Sequence, residues 1–99
     1  MAKDERLGRF RWMEAALVAR SGGTVQSIWF KYLEDALIDC GHFTKNSDAF
    51  MIEVWSSGVR LDLLSEGDIA MISAEQKAEK GGYWDMRAQE LHRNGQRAT

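Results

Sequence analysis

At 99 residues and 11.3 kDa, the chain has room for one domain, residues 1–99, with a single modest core. Its 44% apolar and 28% charged residues exclude disorder, and it has no apolar run of the roughly 18 residues that a membrane-spanning helix needs. One cysteine excludes an internal disulfide, and MAKDERLGRF lacks an apolar signal core, so a cytoplasmic setting is expected.

Residues 4–20 read as a first helix, with Leu7, Phe10, Met13, Leu17 and Val18 on one side and Ser21-Gly22-Gly23 as its stop. Residues 24–40 read as a second. Val25, Ile28, Trp29, Tyr32, Leu33, Ala36, Leu37 and Cys40 recur at helical spacing, Gly41 stands at the end, and Lys31, Glu34, Asp35 and Asp39 form a wet face. The period then changes from 3.6 to 2. Phe50, Ile52 and Val54 alternate with Met51, Glu53 and Trp55, and Val59, Leu61 and Leu63 alternate with Arg60 and Asp62. This predicts strands over 49–55 and 59–64, joined by a Ser56-Ser57-Gly58 loop of type I turn plus G1 bulge.

Beyond residue 65 two readings compete. Ser65-x-x-Asp68 is a capping pattern, which favours a helix over 66–80. A third strand from Asp68, followed by a short helix capped by Ser73 and Gln76, is the rival. Gly81-Gly82 ends either version, residues 83–93 form a last helix closed by Asn94-Gly95, and the final residues fray. The expected architecture is α+β in the order α-α-β-β-α-α, two N-terminal helices, a hairpin or three-stranded meander, then one or two C-terminal helices. A two-stranded ribbon is unstable alone, so the second helix is expected to cover Phe50, Ile52 and Val54.

Motifs for chemistry are sparse. Cys40 and His42 are two apart, but Cys40 falls on an apolar helix face, where a cysteine acts as a small hydrophobe, and His42 follows a helix end that favours a cation. The Cys and His residues are too few for a structural zinc site, so no metal and no cofactor is expected. Gly22-Gly23 and Gly81-Gly82 lack the spacing of a phosphate-binding loop. The carboxylates Glu34, Asp35, Asp39, Asp48, Glu53, Asp62, Glu66 and Asp68 read as a solvated acidic surface, and no catalytic residues are assigned.

Charge is unevenly spread, at +2 over residues 1–20, −6 over 21–76 and +2 over 77–99. On a helical wheel Arg6, Arg9 and Arg20 make the only basic stripe, the basis of an alternative nucleic-acid reading as a degenerate winged helix or a double-stranded-RNA-binding-like domain. The acidic middle weighs against that alternative. Four tryptophans are the other unusual feature. Trp29 reads as core. Trp12 lies about 160° from Phe10 on the wheel, beside Gly8, Ala15, Ala16 and Ala19, a face that admits another helix closely. Trp84 and Leu91 of the last helix are candidate covers for Trp12, and Trp55 lies on the strand side opposite the Phe50 face.

The expected function is a non-catalytic interaction module, a small regulator, adaptor or inhibitor, with Trp12, Ala15, Ala16, Ala19, Trp55 and Trp84 as interface residues. Its partner is another protein, a homodimer being one form, with no membrane contact. Analogy with small acidic regulators of phages and mobile elements is the only pointer to a process.

Overall fold

A computed structural model describes residues 5–94. The segment expected to form one helix over 4–20 divides in two. Helix α1 covers only Arg6–Phe10, and a strand, β1, runs Glu14–Ser21. The reason lies in Ala15-Ala16-Leu17-Val18-Ala19-Arg20, where Ala15, Leu17 and Ala19 alternate with Ala16, Val18 and Arg20 as well as any helical wheel sorts them. The second expected helix, 24–40, also divides, into strand β2 (Thr24–Phe30) and helix α2 (Leu33–Phe43). TVQSIWF is rich in β-branched and aromatic residues, and the helical spacing of Val25, Ile28 and Trp29 is a coincidence of period. Gly22-Gly23 is a hairpin loop, not a helix stop. Ser21 pairs with Thr24, and Gly22 takes a φ of 62° at the first loop position, as a primed two-residue turn needs. Gly41, expected past the end of the second helix, lies inside α2, which ends where the Thr44 hydroxyl donates to the Cys40 carbonyl at 2.7 Å.

The second hairpin is where the period-2 pattern puts it. Strand β3 runs Ala49–Ser56 and β4 runs Val59–Leu64. Its loop differs from the expected type I turn with G1 bulge. Ser56 pairs with Val59, so the loop is Ser57-Gly58, with φ of 51° and 78° at its two residues. The bulge lies within the ladder instead. Val54 pairs with Asp62 and Trp55 with Arg60, which leaves Leu61 as the extra residue.

The two hairpins join through β1 and β3 into one antiparallel sheet of order β2-β1-β3-β4. The capping pattern at Ser65 wins over the third-strand reading. The Ser65 hydroxyl accepts from the Asp68 amide at 3.2 Å, and Asp68 Oδ2 accepts from the Ser65 amide at 3.0 Å. Helix α3 follows over Glu66–Asn94, kinked at Lys80 (φ −139°, ψ 37°) just before Gly81-Gly82. The two expected C-terminal helices are its two arms. The closing Gly95 and the fraying residues lie outside the described residues.

The three described helices all pack on one face of the sheet. Leu7 and Phe10 of α1, Leu33 and Leu37 of α2, and Ile69, Ile72 and Trp84 of α3 meet Leu17, Phe30, Ile52, Val54 and Leu64. The division of labour departs from the expectation that the second helix covers the Phe50 face. Helix α2 lies on β1 and β2, while α3 lies on β3 and β4. Leu33 is fully buried at the start of α2. Replacing it by alanine is expected to cost about 2–5 kcal/mol in a denaturant titration; a loss below about 1 kcal/mol would place the core elsewhere.

Candidate docking face

Alternation along a strand gives every sheet two faces. The opposite face of this one is built by Glu14, Ala16, Val18 and Arg20 of β1, Val25, Ser27 and Trp29 of β2, Ala49, Met51, Glu53 and Trp55 of β3, and Arg60, Leu61 and Leu63 of β4. An antiparallel sheet with one open side usually turns polar residues outward. Here apolar side chains dominate, and no described helix packs on them. Val25 is 62% exposed, Leu61 44%, Leu63 40% and Trp29 39%, while Val18, Met51 and Trp55 are half-buried.

Two features shape this face. At the Glu14 end the Trp29 and Trp55 rings meet at 5.7 Å, tilted by 59°. Their strands flank β1, so the indoles close over it. Ala16, level with Trp29, is short enough to lie beneath and is 1% exposed. The Trp55 indole N–H donates to Glu53 at 3.1 Å, and Arg60 holds the other Glu53 oxygen at 3.3 Å. At the Arg20 end Val18, Arg20, Val25, Ala49 and Met51 line a shallow dish of about 300 Å³. The face carries two acids and two bases. Glu53 and Arg60 pair with each other, whereas Glu14 and Arg20 have no ion-pair partner among the described residues.

The carboxylates expected on a wet face of the second helix are buried instead. Helix α2 is sandwiched between the sheet and the second arm of α3, and that arm meets it with polar groups. Glu34 accepts from Arg11 at 2.8 Å and from the Tyr83 hydroxyl at 3.0 Å. Arg87 grips Asp35 through two bonds of 3.0 Å, and His92 Nε2 lies 2.6 Å from Asp39. Burial first, then the Glu34 carboxylate, pushes the Tyr83 hydroxyl up, and the bonds to Asp35 raise Arg87. Each acid is committed to a fixed partner, which suits a structural seam better than acid–base chemistry. Cys40 is buried, its thiol pushed up to about 11 mainly by desolvation, and the exposed His42 stacks on His92 with ring centres 4.2 Å apart, not on Cys40. Among the described residues no group of three or more His, Cys, Asp or Glu could hold a metal ion.

The expected interface residues do not form one helical face. Trp12, 64% exposed, lies in the turn before β1 with its ring edge-on to Tyr32 at 5.2 Å. Ala15 and Ala19 point from β1 into the core side of the sheet, and Ala16 sits beneath the Trp pair. Trp84 is a core residue at 2% exposure, and it does not cover Trp12. Trp55 is where the alternation puts it. The arginine stripe dissolves with the helix that carried it. Arg6 and Arg9 stay on α1, where Arg6 pairs with Asp68 at 2.8 Å and Arg9 lies 5.6 Å from the Phe10 ring, while Arg20 stands on β1. Trp29, read from the sequence as core, proves to be half of the exposed pair. The signal for it was the Gly-Gly hairpin ahead of a β-rich run.

Comparison of the chain with protein-family models, curated proteins and solved structures finds no match.

Two outcomes follow from these environments. The Arg6 guanidinium, then the Ser65 amide, hold the Asp68 carboxyl down at about 2. An unfolded aspartate titrates near 3.9, so the pair stabilises fully above about pH 4 and loses its contribution as pH falls toward 2. Arg6→Ala is expected to flatten the fall in melting temperature over that window; parallel curves for the two proteins would show that the pair contributes nothing. For Cys40, a thiol reagent at pH 8 is expected to label the native protein at least about 100-fold more slowly than free cysteine. Labelling as fast as free cysteine would show the thiol to be exposed.

Proposed function

We propose that this chain is a non-catalytic protein-interaction module, a small regulator, adaptor or inhibitor, and that it docks through the open side of its sheet. The observation that carries this reading is the apolar character of a sheet face that no described helix covers. A patch built around two partly exposed tryptophans and a dish of valine and methionine has the composition of interface centres, where aromatic and Met side chains are enriched. The antiparallel scaffold holds it rigid, which lowers the entropy lost on binding. The single thiol fits a reducing compartment, and the reading places the chain in the cytoplasm. No described helix is long and apolar enough to cross a membrane. The nucleic-acid alternative draws less support, because Arg6 is tied to Asp68 and Arg20 stands on β1, apart from the helix that carries Arg6 and Arg9.

Photo-crosslinking side chains placed at Val18 and Met51 test the face, with Gly41 and Glu79 as control positions on the helical side. In cells expressing the chain, discrete protein adducts are expected from the two sheet positions, lost when Trp29→Ser is added, and none from the controls. Adducts that ignore Trp29, or that arise equally from the controls, would remove the open face from the proposal.

A further inference from the structure

We propose that a second copy of this chain occupies the open sheet face, related by a two-fold axis that crosses β1 between Ala16 and Val18 and sets Glu14 of each copy against Arg20 of the other. The inference rests on the reading of that face as a docking surface and names its occupant. Three observations converge on it. First, the face bears no net charge, and its two unpaired charges are opposite in sign and sit at the two ends of one strand. A two-fold lying in the interface and perpendicular to β1 exchanges those ends, so a single operation pairs both charges twice.

Second, the relief of the face is complementary to itself under the same operation. The Trp29–Trp55 ridge stands at the Glu14 end and the dish of about 300 Å³ opens at the Arg20 end. Trp55 is level with Glu14 and Ala49 with Arg20, so the axis carries the Trp55 indole onto the small Ala49 of the other copy. Trp29 is level with Ala16 and Ser27 with Val18, so Trp29 likewise meets a small residue, Ser27. Both tryptophans therefore face small residues, one on each flank of β1, while Met51 meets the stem of Glu53, which lets the two sheets approach to about 10 Å. An arginine and a glutamate together span that gap.

Third, the size of the face suits a reversible dimer. Four strands about 4.8 Å apart and six residue steps of about 3.4 Å give a flat area of roughly 400 Å². That is below the roughly 800 Å² per partner of a standard interface, the size class of a transient pair and not of an obligate one.

Sedimentation velocity on the full chain, from about 1 to 500 µM in low salt, tests the pairing through charge reversal at exposed positions. The wild-type chain is expected to show a monomer–dimer equilibrium. Arg20→Glu or Glu14→Arg alone is expected to weaken it about tenfold, Arg20→Gln less, and the combined Glu14→Arg/Arg20→Glu chain to return to within about threefold of wild type. Trp29→Ser is expected to weaken the dimer at least as much as either reversal. A chain that stays monomeric at 500 µM, reversals without effect, or a double variant weaker than both singles would each overturn the proposal. A monomer whose Val18 and Met51 positions still crosslink to a protein of another mass would overturn the second copy and leave the docking face standing. A monomer with no such adduct would overturn both.

Discussion

The two hairpins of this sheet meet along one seam. β1 hydrogen-bonds to β2 on one side and to β3 on the other, and no other described strand joins the first hairpin to the second. Its side chains serve both faces. Leu17 and Ala15 reach the core beneath the helices, while Ala16 and Val18 floor the open face. The short alanines matter twice. On the core side they let α2 settle close to the sheet. On the open side Ala16 lets two indoles close over the strand.

The second half of the chain was the more legible in sequence. The alternation of Phe50, Ile52 and Val54 lies in a run of aromatic and β-branched residues without alanine between them, and the reciprocal bonds of Ser65 and Asp68 are local. The first half was harder for a physical reason. Leu17-Val18 and Ile28-Trp29 are adjacent apolar pairs, which satisfy a helical stripe as readily as a strand buried on one side and half-covered on the other. Alanine, a strong helix former, tips the local balance the wrong way in β1, and only pairing to β2 and β3 overrides it. The open face was invisible for the same reason, since a residue's side of a sheet has meaning only once the strand is known. Trp55 was placed correctly because its strand was.

The acids of α2 teach a related lesson. Glu34, Asp35 and Asp39 look like solvent-facing positions beside an apolar stripe, as Lys31 is. A helix wedged between a sheet and a second helix has two buried sides, and the second of these is lined with charge. Arg11, Tyr83, Arg87 and His92 come from elsewhere in the chain to partner it, three of them from the second arm of α3. Such pairs contribute less to stability than apolar packing of equal volume, but each fixes a register, so they specify where that arm lies along α2.

The strand order also has a kinetic consequence. Each hairpin pairs neighbours in sequence across a two-residue loop, and hairpins of this kind close in about 1–10 µs. The β1–β3 ladder is different. Arg20 meets Ala49 only after residues 21–48, which include β2 and α2, have been looped out. The entropy of that closure is lost before any contact in the ladder forms, so zipping β1 to β3 is the slow event of folding. Until it is complete, β1 and β3 each present an unsatisfied edge beside an apolar face. A partly folded chain therefore adds two unpaired borders, on β1 and β3, to the β2 and β4 edges that the finished sheet keeps, and the unjoined hairpins are the state most exposed to aggregation.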